Sequence, residues 1–431
     1  MDRLIVVSCD CHADPATPAD FGPYVAAEHQ GAFGDWLQQM ELVAAARENM
    51  KMEELFSEDH VQRRSDTSGY EGTAEELEEH RARLASGLSR TSDPGVRLKE
   101  LEADGVVAEV IFPNGMPFMI GDQRPSGELA AAGTRAYNGW LAELCRAHPG
   151  RTIGVAQLAP VADVAATVDQ LHEAADSGLR GVTCPTPAAG MPPLIDPVYE
   201  PIWEAAEQRG LPLHAHIGWG GLAVDDLPFT SIMSAAGRGV VMAEMRWLSR
   251  RCLWLLTYAG VFERHPDLKL VFVEQQADWV PNQLALLDEN YDDYQRGHVL
   301  RAELPHRPSD YWRRQCFVGA SSIARAEVEM RAAIGVETML FGTDYPHFEA
   351  TWPNTTLWLK RAFAGVPEAE VRLVLGDNAI RCYGLDRAQL QAAADRVGPL
   401  VSDVTGGEDD LDEATARWLD ERGLARPAIC M

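Results

Sequence analysis

The chain has 431 residues, with 65 acidic and 38 basic side chains and a formal net charge of −27. Hydrophobic residues make up 46% and charged residues 24%, which is the composition of a globular protein rather than a disordered one. So acidic a chain lacks the basic footprint that binds nucleic acid or an anionic membrane surface, and no apolar run approaches the roughly 18–20 residues of a membrane span.

The first apolar run, Leu4–His12, reads as a buried strand and is too short for the apolar region of a signal peptide. Segment 13–96 follows it and carries an acidic helical patch near Glu75–Leu84. Strand Val106–Asn114 then leads to helix Glu128–His148, strand Thr152–Pro160 to helix Val164–Ser177, and strand Leu179–Pro185 to helix Pro201–Arg209. Strand Leu211–Gly218 precedes a Gly-, Ala- and Met-rich segment, 219–250, and strand Leu268–Gln275 precedes helix Trp279–Asn290 and segment 291–314. Strand Gln315–Ala320 leads to helix Ala324–Ile334, and strand Thr338–Asp344 to segment 348–366 and helix Pro367–Cys382.

Eight strand-then-helix units predict an α/β fold, a (β/α)8 TIM barrel with parallel strands. A doubly wound sheet is the alternative, but neither a GxGxxG turn nor a Walker lysine loop is present. The four long segments would leave the C-terminal face, where barrel active sites sit, with 13–96 as a lid. Residues 1–390 are expected to form one barrel and 391–431 an acidic tail. The eight cysteines are scattered, with no CxxC pair, and read as free buried thiols of a cytoplasmic protein.

Ligand-type residues interrupt the apolar strands at one end. They are Asp10 and His12 on strand 1, His214 and His216 on strand 5, Glu274 on strand 6 and Asp344 with His347 on strand 8. Strand alternation puts Asp10 and His12 on one face and Cys9 and Cys11 on the other, so that the two cysteines turn outward. Carboxylates and imidazoles converging at a barrel mouth make a site for a divalent metal.

These motifs resemble the amidohydrolase superfamily, specifically the amidohydrolase-related group that includes aminocarboxymuconate-semialdehyde decarboxylase. The resemblance rests on Asp10-x-His12, Pro212–His216, Phe272–Pro281, Gly342–His347 and Gly376-Asp377-Asn378-Ala379, and so covers nearly the whole chain. It implies one divalent metal held by Asp10, His12, His216 and Asp344, with Zn²⁺ expected first and Mn²⁺ or Fe²⁺ as competitors. It also implies a homodimer.

Three departures stand out. Asp10 replaces the first His of the family's strand-1 pair. The strand-4 lysine of the binuclear hydrolases is absent from Gly181-Val182-Thr183-Cys184. Glu274-Gln275 stands where the decarboxylases of the group carry His-Gly.

The leading expectation is a metal-dependent hydrolase acting through metal-activated water on a small carboxylated, aromatic or unsaturated substrate. Asp344 or Glu274 would take the proton and return it to the leaving group. The alternative is a metal-dependent non-oxidative decarboxylase, and a barrel that has kept only binding is a third possibility. His347, His214, Trp219, Arg246 and Trp352 are the candidate substrate contacts, and Tyr291, Tyr294 and Trp312 lie on the same mouth segments.

Overall fold

The computed structural model describes residues 2–48, 92–119, 127–219, 235–347, 350–406, 411 and 413–427. The patch Glu75–Leu84 and residues 49–91 of the lid segment lie outside the described residues, as do 407–410, 412 and 428–431 of the acidic tail.

Eight strands form one sheet in the order of the chain, each parallel to the next. They are β1 (Val7–His12), β2 (Ala108–Phe112), β3 (Thr152–Ala156), β4 (Gly181–Thr183), β5 (Leu213–His216), β6 (Leu270–Val273), β7 (Cys316–Ser321) and β8 (Met339–Gly342). The sheet closes just beyond β8. The Asp344 N–H donates to the Asp10 carbonyl at 2.8 Å, and the His12 N–H donates to the Tyr345 carbonyl at 2.7 Å. The expected (β/α)8 barrel is the fold found.

Helices α1 (Gln30–Glu48) and α2 (Pro94–Ala103) follow β1, and α3 (Glu128–Arg146), α4 (Val164–Asp176) and α5 (Glu200–Gln208) follow β2, β3 and β4. Helices α6 (Ala235–Tyr258), α7 (Val280–Asp292), α8 (Arg325–Glu329) and α9 (Thr355–Phe363) follow β5 to β8. Their starts are written in the sequence. Asp93 accepts from the Gly95 and Val96 N–H groups ahead of Pro94, and Asp163 accepts from those of Ala165 and Ala166.

Two predicted helices are broken. The run 324–334 splits at Met330, and the run 367–382 contains a widened π-type turn at Leu373–Asp377. There Gly376 presses on the start of β1, since a Cβ at this position would sit 2.7 Å from the Ile5 carbonyl oxygen. Asn378 then donates to the carbonyls of Val336 and Met339, both at 2.8 Å, and fixes the entry to β8. The Gly-Asp-Asn-Ala motif thus anchors two strands at the point where the helix Asn378–Tyr383 begins.

The expected boundary at residue 390 falls inside helix Arg387–Val397. Beyond it the chain returns to β1: the Leu4 N–H donates to the Pro399 carbonyl at 2.9 Å and Arg3 bridges Leu400. Pro399 and Leu400 are thus tied to the barrel's N-terminal edge.

The register of β1 against β2 slips by one residue between Ser8 and Cys11. This β-bulge changes the parity assumed from alternation. Cys9 belongs to the buried cluster that holds Val7, Val110, Val271 and Leu340, whereas Cys11 belongs to the one that holds Val6, Ile111 and Phe272. Only Cys11 faces the helix layer, so the expectation that both cysteines turn outward is corrected. The seven described cysteines are buried and free. Among the described residues no helix is long and apolar enough to cross a membrane.

Candidate metal centre and active site

The bulge lets the lower half of β1 fill the barrel with Val7 and Cys9 while Asp10 and His12 still face the mouth. On β6 and β8 the turn into the mouth is made by the backbone. Glu274 has φ 58° and Asp344 φ 61°, both in the left-handed region. That conformation costs about 1–2 kcal/mol for a residue with a Cβ and concentrates at functional sites.

The side chains brought together are Asp10, His12, His216, Glu274, Asp344 and His347. His12 Nε2 lies 3.5 Å from Asp10 Oδ1 and 3.4 Å from Asp344 Oδ1. His216 Nε2 lies 3.6 Å from Asp10 Oδ1 and 3.4 Å from Glu274 Oε2. Potential ligand atoms of Asp10, His12 and His216 all fall within 4.8 Å of one another, as do those of His12, Asp344 and His347. These separations are too long for hydrogen bonds. They match the ~3.4 Å edge of a tetrahedron whose metal–ligand bonds are about 2.1 Å.

The imidazoles are oriented for the same task. His12 Nδ1 pairs with the Pro113 carbonyl at 3.2 Å and His216 Nδ1 with the Ile217 carbonyl at 3.1 Å. A carbonyl can only accept, so each Nδ1 carries the proton and each Nε2 presents a lone pair. Both Nε2 atoms are buried and lack a hydrogen-bond partner. An aprotic, buried nitrogen facing carboxylates fits a divalent cation.

The electrostatics agree at His12 and Asp10, whereas at His216 burial is outweighed by Asp10 and Glu274, which raise its pKa. Burial, reinforced by His347 and His216, pushes the His12 pKa down to about 3 against the opposing pull of Asp10. Burial alone would raise Asp10, but the imidazoles of His12 and His216 hold it below the ordinary carboxylate range. Glu274 behaves differently. Burial, with help from Asp344 and Asp10 and against His216, pushes it up to about 8. Burial raises the Cys11 thiol to about 12, so no thiolate competes here.

His347 is placed more intimately than a substrate contact requires. Its Nδ1 lies 2.7 Å from Asp344 Oδ1, and its ring stacks on His12 with centroids 3.9 Å apart. Its Nε2 meets Asn114 Oδ1. Sequence reasoning missed Asn114, although it is the polar residue that closes the apolar run of strand 2. It also missed Arg97, buried beside β1.

Beside His216 opens a cavity of about 200 Å³. Phe112, Met116, Leu158 and Trp219 give it apolar walls, and Asn114 and Gln157 are among its polar groups. Trp219 thus stands where a substrate contact was expected, anchored by its Nε1–H to the Cys184 carbonyl at 2.6 Å.

The other candidates are placed differently. His214 borders the cavity floor, but both ring nitrogens are engaged, by the Val182 carbonyl at 3.1 Å and the Tyr383 hydroxyl at 3.0 Å. It is a core imidazole with no nitrogen left for a ligand. Trp352 packs against Tyr345, donates to the Glu100 carbonyl at 3.1 Å and does not line the cavity. Arg246 lines a separate cavity. Tyr291 and Trp312 are buried packing residues and Tyr294 is exposed.

A family model described as amidohydrolase matches residues 9–385. The chain belongs to the amidohydrolase family. It is therefore an enzyme, and the family resemblance read from the sequence motifs is the correct one. No curated protein matches the chain. Among solved structures, it is similar to 5-carboxyvanillate decarboxylase from Sphingomonas paucimobilis, at 20% identity and TM-score 0.54 over 89% of this chain and 100% of that one. It is similar to a dihydroxybenzoic acid decarboxylase from a Polaromonas species with bound manganese, at 17% identity and TM-score 0.57 over 90% and 99%. It is also similar to a manganese complex of 5-carboxyvanillate decarboxylase from Novosphingobium aromaticivorans, at 17% identity and TM-score 0.59 over 89% and 96%. At these identities the likeness is one of fold.

Proposed function

We propose that this amidohydrolase-family enzyme is a divalent-metal-dependent, non-oxidative decarboxylase of a small aromatic or unsaturated carboxylic acid. This replaces hydrolysis as the leading reading. Asp10, His12, His216 and Asp344 would hold the metal, with His347 steadying Asp344. The ion would supply positive charge to fix and polarise the substrate's oxygens.

The observation that carries the reading is the position of Glu274 beside the proposed ligands. Hydrolysis calls for a base beside the attacking water, whereas loss of CO₂ calls for an acid that gives a proton to carbon. Glu274 stands 3.4 Å from His216, beside the proposed ligands, and in the metal-free protein burial raises its pKa to about 8, which makes it the carboxyl there best placed to hold a proton. The proposed step transfers the Glu274 proton to the substrate carbon that bears the carboxylate. The bond from that carbon to the carboxylate breaks, CO₂ leaves, and solvent reprotonates Glu274.

The cavity supports the substrate class. Phe112, Met116 and Trp219 offer flat apolar contact, and Asn114 and Gln157 offer hydrogen bonds to ring hydroxyls. The dihydroxybenzoate and carboxyvanillate decarboxylases of the same fold point the same way. Two carboxylates beside two imidazoles in the proposed ligand set, together with the manganese in those relatives, favour Mn²⁺ over the Zn²⁺ first expected.

The test is incubation of the manganese-loaded enzyme with hydroxybenzoic acids and related unsaturated acids in D₂O. Release of CO₂ with one deuterium at the vacated carbon is expected. Gain of water with retention of the carboxyl carbon would restore the hydrolase reading.

A further inference from the structure

A second cavity, of about 440 Å³, lies between α6, α7 and the residues that follow β6. It shares no lining residue with the cavity beside His216. Arg246 and Arg250 of α6 and Arg426 from the C-terminal segment converge on it, with Trp247, Trp279 and Asn282. Three guanidiniums and one carboxylate, Asp278, line this cavity, a local excess of positive charge on a chain whose net charge is −27.

The three cations are not equally satisfied. Arg426 Nη2 donates to the buried carboxylate of Glu327 at 2.7 Å. Arg250 lies over the Trp279 ring at 4.7 Å, and its Nη2 reaches the Gln275 carbonyl only at 3.4 Å. Its Nε is buried and has no hydrogen-bond partner. Arg246 makes no hydrogen bond or ion pair among the described residues. Burial pushes Arg250 down to about 10; Asp278 opposes this and the like charge of Arg246 adds to it. An anion between the two arginines would relieve both the desolvation and the repulsion.

We propose that this cavity is a second binding site, for a small organic carboxylate with a planar apolar body. The guanidiniums of Arg246 and Arg250 hold the carboxylate, since a planar fork of donors matches its two oxygens. Trp247, 55% exposed at the rim, and Trp279, buried beneath, flank the body. The cavity is within the size range of small-ligand sites, about 300–1,000 Å³. The proposal does not depend on which reaction occurs at the metal centre.

The test uses the full-length, manganese-loaded protein and 4-bromobenzoate as probe. Crystals soaked in the probe are expected to show bromine anomalous density between Trp247 and Trp279. Calorimetry is expected to show a binding event that weakens about tenfold or more in Arg246→Gln and is partly restored in Arg246→Lys. Arg246 is half-exposed and unpaired, so Arg246→Gln is expected to melt with the wild type; Arg250→Gln provides a second variant. Bromine density only at the metal centre, or equal affinity in Arg246→Gln, would overturn the site. Density with no calorimetric affinity would mean binding at crystal concentration only and would overturn it as well. Equal or tighter binding of inorganic phosphate would overturn the organic class of the ligand.

Discussion

Arg97 and Glu109 form a buried ion pair beneath the metal centre: Nε donates to both carboxylate oxygens at 2.7 Å and Nη2 stands 2.6 Å from Oε2. Arg97 Nη1 also donates to the His12 carbonyl at 2.7 Å, so one guanidinium neutralises a core carboxylate and fixes the backbone of a candidate ligand. Arg97→Ala would leave Glu109 as an uncompensated buried charge, at a cost of about 3–5 kcal/mol. Urea denaturation checks this, and a loss below ~1 kcal/mol would show that the pair is not needed. The double variant Arg97→Met with Glu109→Leu is expected to recover much of the loss, since apolar groups of similar volume remove both charges together.

His12 and His216 each spend Nδ1 on a carbonyl and keep Nε2 for the centre. Purified wild type is expected to carry one divalent ion per chain. His12→Ala, His216→Ala and Asp344→Asn should each reduce that content sharply, while Asn114→Ala, acting through His347, should weaken affinity by roughly 10–100-fold. Metal analysis after dialysis reads all four. Full occupancy in His216→Ala would remove that residue from the ligand set.

The strand ends were legible because polar residues there interrupt apolar runs whose other members are buried, as with His216 after Leu213 and Ala215 on β5. Period-2 reasoning failed at Cys9 because one extra residue in β1 reverses the parity, and a bulge has no compositional mark. The left-handed backbone of Glu274 and Asp344 was equally hidden, because neither residue is the glycine that usually announces it. Arg246 and Trp352 sit on mouth segments as expected. Which way a loop side chain turns depends on neighbours distant in sequence, and Trp352 found Tyr345 and Glu100 instead of the cavity. Arg97 was invisible for the same reason: its partner Glu109 looks in sequence like an ordinary interruption of a strand.

Glu274 gives a prediction whose sign can be worked out for the metal-free protein. Its folded pKa is raised from 4.5 to about 8, by burial first and by Asp344 and Asp10 next. Between those values the folded state binds more protons than the unfolded state, so this group's contribution to stability falls as pH rises through that window. Glu274→Gln removes the titration. Relative to wild type, the chelator-treated variant should gain stability at pH 8–9 and show no such gain near pH 4. Thermal melts across pH read the difference, and a constant offset would place the Glu274 pKa at its ordinary value. In the metal-loaded enzyme the same substitution should lower kcat by about 10²–10⁴-fold if Glu274 supplies the proton. Wild-type turnover would assign that proton to another group.

Gly181 stands at the start of β4, where the binuclear relatives were expected to place a metal-bridging lysine, and its role here is steric. A Cβ at this position would sit 2.4 Å from His214 Cε1. The His214 ring crosses the glycine, bonds Val182 and Tyr383, and meets the Phe112 ring edge-on at 5.5 Å. Phe112 in turn lies 4.9 Å from His216, ring to ring. Gly181→Ala must push the imidazole off both partners, so it should cost about 1–3 kcal/mol as an overpacked core. Displacement of His214 toward Phe112 and His216 should also weaken metal retention. Denaturation and metal content measured on the same preparation test the two effects together. A variant that keeps wild-type stability would show that His214 has room the structure does not give it.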